Sequence, residues 1–317
     1  GYSERHLGRL LTAEIGAGPL AIARAKRADT ARILLTHTDL TAADIAFAAG
    51  FSSIRQFNDT IREVYATSPT ALREARRAPA AGRGTITLKL PVRAPFDGAA
   101  LLGFLAARAV TGVEVATSDS YARTLRLPHG TGTVVLTLPP DESDRQAART
   151  FVTATLTLDD IADLAPAVAR CRRLLDADAD PLGIASVLGA DPALAAAVAR
   201  APGLRLPGAV DGSEILIRAL VGQQVSVASA RTALGRLAAT AGERVRSPID
   251  GLTQLFPSPD SLAALAPEEI GGPRRRAAAI LAAAADLAGG SLTVDPGRRT
   301  DELTAELVAR AGIGPWT

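Results

Sequence analysis

RAGIGPWT, residues 310–317, has the pattern of a hairpin between two short helices. Gly312-Ile313-Gly314 supplies a tight turn, and Pro315 suits the first position of a second helix, where its missing N–H is no loss. Such a turn presents backbone N–H groups with no side chain in the way, a geometry that binds phosphate. Gly312, Ile313 and Gly314 are therefore predicted to bind a phosphate group. The alternative is a turn that merely joins two helices.

The composition bounds the class of protein. Over 317 residues, 47% are hydrophobic and 21% are charged, which predicts a globular protein of two or three domains. The apolar runs are too short to span a membrane, and we identify no signal peptide. Cys171 is the only cysteine, which excludes a disulfide framework and favours a cytoplasmic location. Its helical spacing with Val168 and Leu175 predicts a buried thiol, and no metal site is predicted.

The hydrophobic period divides the chain into parts. Residues 1–76 are predicted to be helices and turns, and RAPAAGRG (77–84) a linker. Residues 85–158 are predicted to form a small antiparallel α+β domain with a helix at 97–110. The strands are predicted at 85–92, 113–117, 121–127, 133–138 and 150–158. Residues 159–317 are predicted to be helical again, so the fold class is mainly α with one α+β domain.

A helix-turn-helix is predicted inside the first part. Thr41 and Asp44 have the spacing of a helix start, Gly50 supplies the turn, and Ser52 or Ser53 caps the second helix. That helix carries Ile54, Phe57 and Ile61 on one face, and polar residues at its start. An ordinary helical hairpin with a solvated polar face is the alternative.

The stretch TAADIAFAAGFSSIRQFNDTIREVYATSP (41–69) resembles the second helix-turn-helix of the AraC family. The opening YSERHLGRLLTAEIGAGP (2–19) resembles the recognition helix of the first. Because residues at the start of a recognition helix contact base edges or backbone, the resemblance predicts a DNA-reading set. The predicted contacts are Ser53, Arg55, Gln56, Asn58, Ser3, Arg5 and His6.

Several motifs between residue 85 and the end resemble the AlkA-type 3-methyladenine DNA glycosylases of the helix-hairpin-helix superfamily. They are LLGFLAARAV (101–110), PGLRLPGAVDG (202–212), IRALVGQQVSVASARTALGRL (217–237), GGPRRRAAAI (271–280) and AGIGPWT (311–317). The resemblance implies a glycosylase domain at 159–317, cut at its hairpin, that flips a damaged nucleotide out of the duplex. It also implies that the chain is a fragment at both ends of a longer protein.

The resemblance assigns three further residues. Gln224, helped by Gln223, takes the place of the wedge that fills the gap left by the flipped base. Enzymes of this type can have leucine there, and a capping or core amide is the alternative for either glutamine. Trp316 is assigned to the base pocket, where an indole face attracts cationic alkylated purines. A tryptophan in place of a Schiff-base lysine implies a monofunctional glycosylase, and core packing is the alternative.

No catalytic residue is assigned in this chain. The resemblance places the catalytic aspartate after the hairpin, whereas Asp286, Asp295 and Asp301 precede it. No cofactor is expected, because the zinc site of related fusions lies in an upstream alkyl-acceptor domain. The expected function is monofunctional excision of alkylated purines coupled to a transcription regulator. A regulator that only binds or senses damaged DNA is the alternative. Promoter DNA and alkylated duplex are the expected partners of a monomer.

Overall fold

The computed structural model describes most of the chain, and everything below concerns those residues. They are 8, 9, 11, 18–38, 40–65, 67–74, 85–139, 149–315 and 317. The chain divides into two compact units. The first is Gly1–Lys89, Pro128–Gly130 and Thr155–Ala167, and the second is Leu90–Leu127, Thr131–Ala154 and Val168–Thr317. No helix among the described residues has the length and apolar character needed to cross a bilayer.

Among the described residues, the first part of the chain contains four helices, and three of them begin at a hydroxyl cap supplied by Thr41, Ser53 or Ser68. The four helices are α1 (Pro19–His37), α2 (Ala42–Ala48), α3 (Ile54–Tyr65) and α4 (Pro69–Glu74). The hydroxyl of Thr41 accepts a hydrogen bond from the Asp44 N–H at 3.1 Å, and that of Ser53 accepts one from the Gln56 N–H at 3.2 Å. These caps occupy N–H groups that have no partner inside the helix. The predicted helix starts are thereby confirmed, and Ser53 rather than Ser52 is the cap of α3.

The turn between α2 and α3 is built on Gly50. Its φ of +83° lets the chain reverse, so that the Phe51 N–H donates to the Ala46 carbonyl at 3.0 Å. Phe51 then packs edge-on against Phe57, with ring centroids 5.6 Å apart. Ile54, expected on the buried face, is partly exposed because it begins the helix at the edge of this core.

A five-stranded sheet follows, in the order β1-β5-β4-β3-β2. Its strands are β1 (Ile86–Arg93), β2 (Glu114–Ala116), β3 (Ser120–Arg126), β4 (Thr131–Thr137) and β5 (Arg149–Leu158). Strand β3 pairs antiparallel with β2 and with β4, and Tyr121 lies opposite Leu136. Helix α5 (Gly98–Arg108) follows β1 and starts at Asp97, whose carboxylate accepts the Ala100 N–H at 2.9 Å.

The rest of the chain is helical. Its helices are α6 (Leu164–Leu174), α7 (Pro181–Gly189), α8 (Pro192–Arg200), α9 (Gly212–Gly222), α10 (Val227–Ala241), α11 (Pro259–Ala263), α12 (Pro267–Ile270), α13 (Arg274–Ala288) and α14 (Thr300–Val308). Leu220 of α9, Leu237 of α10 and Ala284 of α13 belong to one buried cluster, which Ile313 also joins. Burying this apolar surface stabilises the arrangement of the three helices. The predicted fold class, mainly helical with one antiparallel sheet, is confirmed.

Cys171 is buried, as its spacing predicted. It lies on α6, and burial raises the pKa of its thiol to about 12. A thiol with so high a pKa stays protonated at neutral pH, so Cys171 is a packing residue and not a nucleophile.

Candidate nucleic-acid interface

The turn between α9 and α10 carries the first of the predicted site residues. Gln224 has a φ of +56°, a left-handed conformation that costs a residue other than glycine about 1–3 kcal/mol. Its side chain is exposed. Ser226 then starts α10, since its hydroxyl accepts the Ser229 N–H at 3.2 Å. The fold therefore holds Gln224 at the tip of a tight turn in a strained conformation.

Gln223, its neighbour, holds two parts of the chain together. Its side-chain Nε2 donates to the Gly312 carbonyl at 3.0 Å and to the Thr317 hydroxyl at 2.9 Å. The two glutamines differ in their contacts. Gln223 connects the α9–α10 turn to the glycine turn, whereas the side chain of Gln224 is exposed.

The glycine turn at Gly312-Ile313-Gly314 is fixed by the core beneath it. Gly312 has a φ of +85°, and a Cβ atom there would lie 2.6 Å from the Cβ of Ala279 on α13. Ile313 is only 8% exposed and packs into the helical core. Gly314 has open space around it. One glycine thus permits the close approach to α13, and the other leaves the outer side of the turn uncovered.

An acceptor oxygen already lies at this turn. The Thr317 hydroxyl accepts from the Gly314 N–H at 3.3 Å as well as from Gln223 Nε2 at 2.9 Å. The Ile313 N–H donates instead to the Arg310 carbonyl at 3.2 Å. A phosphate oxygen is an acceptor of the same kind. Of the predicted phosphate contacts, the Gly314 N–H thus donates to a hydroxyl oxygen within the chain.

Both turns line one cleft of about 510 Å³. Its lining residues are Gln223, Gln224, Pro273, Arg275, Arg276, Ala279, Gly312, Ile313 and Gly314. The cleft thus brings together residues that the sequence predicted from two separate motifs. They are Gln223 and Gln224 from 217–237, and Gly312, Ile313 and Gly314 from 311–317. Arg275 and Arg276 were missed, although the run Arg274-Arg275-Arg276 at the start of α13 was a visible signal. Arg276 donates to the Val221 carbonyl at 3.3 Å, which fixes it beside the α9–α10 turn.

Residues of the same turn also line an apolar cavity of about 340 Å³. Gly222 and Val225 of the turn line it, together with residues of α5, α9 and α10. Three of its large apolar side chains are unusually exposed: Phe104 at 42%, Ile215 at 45% and Val227 at 44%. An exposed apolar lining of this kind is typical of a ligand site. The α9–α10 turn therefore contributes residues to both the basic cleft and the apolar cavity.

Four buried charges line the bottom of the cavity. Arg123 binds Glu214 at 2.7 Å and Glu114 at 3.3 Å, while Arg218 binds Glu114 at 2.8 Å and Glu214 at 2.6 Å. Burial alone would raise the pKa of Glu214, but Arg123 and Arg218 outweigh it, so the pKa is lowered. Each of the two carboxylates is thus paired with both arginines.

The helix-turn-helix presents the second set of predicted residues. The Arg55 side chain is 93% exposed at the start of α3, and its Nε lies 4.0 Å from Asp59. Asn58 is half-buried. Ser53 caps α3, and the Gln56 side-chain oxygen accepts from the N–H and the hydroxyl of Ser52 at 3.2 and 3.0 Å. Among the described members of the set, Arg55 therefore has a side chain that is open to a partner.

A polar cleft of about 440 Å³ adjoins these residues. It is lined by Arg24, Arg27, Ser53, Arg55, Gln56, Asp59 and Thr60. Arg24 and Arg27 belong to α1 and were not predicted. Arg24 pairs with Glu63, and the buried Arg27 Nε has no hydrogen-bond partner among the described atoms. Three arginines, Arg24, Arg27 and Arg55, thus line this cleft.

Some predicted residues cannot be placed. Ser3, Arg5, His6 and Trp316 lie outside the described residues. Within the described ranges, no group of three His, Cys, Asp or Glu side chains is arranged to hold a metal ion.

Two family models match the chain. Residues 1–75 match a helix-turn-helix domain. Residues 87–211 match the AlkA N-terminal domain.

Curated relatives and solved structures extend these matches. The chain is 49% identical over 321 residues to the probable bifunctional transcriptional activator/DNA repair enzyme AlkA of Mycobacterium tuberculosis, covering 100% of this chain and 63% of that protein. It is 36% identical over 232 residues to DNA-3-methyladenine glycosylase 2 of Escherichia coli K12, covering 70% and 75%. The fold resembles that of a 3-methyladenine DNA-glycosylase from Archaeoglobus fulgidus, with a TM-score of 0.57, 17% identity and coverage of 71% and 75%. The chain thus spans less than two thirds of its M. tuberculosis relative.

Proposed function

The chain belongs to the AlkA family of DNA-3-methyladenine glycosylases and carries an AraC-type helix-turn-helix domain, and from this we propose that it works in the repair and regulation of alkylation damage. The proposed reaction is hydrolysis of the glycosidic bond of alkylated purines by a monofunctional glycosylase. The proposed partners are alkylated duplex and promoter DNA, bound by a cytoplasmic monomer without a cofactor. The proposed domains are 1–76, 85–158 and 159–317, with a linker at 77–84.

One observation carries the proposal. The α9–α10 turn has Gln223 and Gln224 on a basic cleft and Gly222 and Val225 on an apolar cavity. An enzyme that acts on a base in a duplex must remove that base from the stack and hold it elsewhere. A turn shared by a backbone-binding cleft and a base-sized cavity suits this task.

We infer that the cleft binds the DNA backbone. Arg275 and Arg276 supply positive charge, and the Gly314 N–H supplies a donor on a turn with open space outside it. Phosphate contacts of this kind position a duplex without reading its sequence. Gln223 contributes by fixing the α9–α10 turn to the glycine turn.

Gln224 would then enter the duplex where the base leaves. It is exposed, and its strained backbone is held by the turn. Its amide can fill the gap and form hydrogen bonds with the base left unpaired. The flipped base would enter the cavity beside Phe104, whose ring face attracts the positive charge of an N-alkylated purine.

The helix-turn-helix would hold the protein at a regulatory sequence. Arg55 is suited to read a base edge, and Arg24 and Arg27 to bind a neighbouring phosphate. Ser53 and Gln56 would support the reading helix through their caps, and Gln56 keeps its amide N–H groups for a base contact.

Base release from methylated DNA tests the proposal. We would measure it for the protein on methylated duplex DNA and on the same duplex without methylation. Release of 3-methyladenine and 7-methylguanine from the methylated duplex is the expected result. No release from the methylated duplex would favour a regulator that only senses damage.

A further inference from the structure

A cation already occupies the aromatic face in the apolar cavity. The guanidinium carbon of Arg108 lies 3.6 Å from the ring centroid of Phe104, whereas the other cation–π pairs among the described residues lie at 5.5–6.0 Å. The two residues are one turn apart on α5, and both line the cavity. Arg108 therefore covers a ring that would otherwise face the cavity.

Arg108 differs from the other arginines of the cavity in its partners. Arg123 and Arg218 are paired with buried carboxylates, and Arg231 donates to the Ala109 carbonyl at 3.1 Å. Arg108 donates only to the Phe104 carbonyl, at a long 3.3 Å, and no carboxylate in the described chain is within ion-pair distance. Its contact with the ring is thus its main interaction, and a competing cation could replace it.

We propose that Arg108 is a resident cation on Phe104 that an incoming base must displace. This inference rests on the proposed function, because it assumes that the cavity receives the flipped base. Displacing Arg108 from the ring costs the same free energy for every base that enters the cavity. A positively charged alkylated purine regains that free energy through its own cation–π contact with Phe104, whereas a neutral normal base regains little of it. Arg108 thereby sets a threshold for entry that favours alkylated bases.

Two small probes test this without DNA. N-methylquinolinium is a bicyclic aromatic cation, and quinoline is a neutral ring system of nearly the same shape at neutral pH. We would measure the binding of each to the full chain by calorimetry or NMR titration. The wild type is expected to bind the cation more tightly than quinoline.

Arg108→Ala removes the competitor, so both probes should bind more tightly, by about 2- to 30-fold, the range that a displaced cation–π contact implies. The gain should be larger for the cation, since a like charge also leaves the cavity. Arg231→Ala is the control, because Arg231 lines the same cavity but does not cover Phe104. Arg231→Ala should not increase the affinity for quinoline.

A double mutant decides whether the ring is responsible. In a Phe104→Leu background, Arg108→Ala should not increase the affinity for quinoline. An increase in affinity that persists in this background would overturn the proposal. Unchanged or weaker binding by Arg108→Ala would also overturn it. Arg108→Gln is measured in parallel, with thermal unfolding of each variant, so that a loss of folding is recognised.

The outcomes also separate this inference from the proposed function. If the probes bind the wild type but Arg108→Ala gives no gain, only the role of Arg108 is wrong. If neither probe binds any variant, the cavity is not a base site and both proposals lose their support there. Base release from methylated DNA is read independently of either result.

Discussion

Gln223 and Gln224 show how much the sequence could tell about single residues. Their place in GQQVSV, before an amphipathic helix, identified both as candidates for a polar turn. Their different surroundings depend on a hydrogen bond from Gln223 to Gly312, which is 89 positions away in the chain. No local sequence pattern predicts a contact between residues so far apart. The same limit applies to Phe104, whose motif was visible but whose cavity forms only when α5, α9 and α10 pack together.

Arg55 is expected to carry specific recognition by the helix-turn-helix. Arg55→Ala should weaken binding to a specific site by about 1–3 kcal/mol if the guanidinium makes a bidentate contact with guanine. The measurement is a binding titration on specific and random duplexes at one salt concentration. Equal losses on both duplexes would make Arg55 a phosphate contact or a bystander.

Gln56→Ala is a useful comparison for that titration. The Gln56 oxygen accepts hydrogen bonds from Ser52 at the start of α3, so its loss should lower stability as well as binding. Arg55 makes only a 4.0 Å contact with Asp59, so its replacement should leave the melting temperature nearly unchanged.

At the scale of elements, local chemistry predicted most of the fold. Hydroxyl caps at Thr41 and Ser53, the turn at Gly50 and the alternation in the strands are properties of neighbouring residues, and the structure confirms them. The basic cleft could not be predicted in this way. It depends on α13 placing Arg275 and Arg276 beside a turn that follows α14.

Gly312 should be the least replaceable residue of the glycine turn. Gly312→Ala would force a left-handed backbone on alanine and place its Cβ 2.6 Å from Ala279. We expect a loss of about 1–3 kcal/mol in the free energy of unfolding, measured in urea. Gly314→Ala is the matched control, because nothing lies within 4 Å of its Cβ position. Equal stability of the two variants would contradict the close packing of this turn on α13.

At the scale of the whole molecule, one chain carries two proposed DNA-binding surfaces. The helix-turn-helix surface belongs to the first unit, and the cleft, the α9–α10 turn and the cavity belong to the second. The family motifs predicted this combination, and the comparisons support it. The domain limits at 76, 84 and 158 stay predictions. The central claim concerns the second unit. There, Gln224 of the α9–α10 turn is proposed to enter a duplex bound at the cleft, while the displaced base enters the cavity.

The most direct test of that claim follows the fluorescence of 2-aminopurine placed opposite an abasic analogue in a duplex. The wild-type chain should raise the fluorescence, because Gln224 enters the duplex and unstacks the reporter. Gln224→Ala should lose much of this rise and bind the abasic-analogue duplex about 2- to 10-fold more weakly, with a smaller loss on intact duplex, as expected for a contact of about 0.5–1.5 kcal/mol. Gln223→Ala, measured alongside, should affect both duplexes alike. A Gln224→Ala chain that unstacks the reporter as well as the wild type would contradict the account.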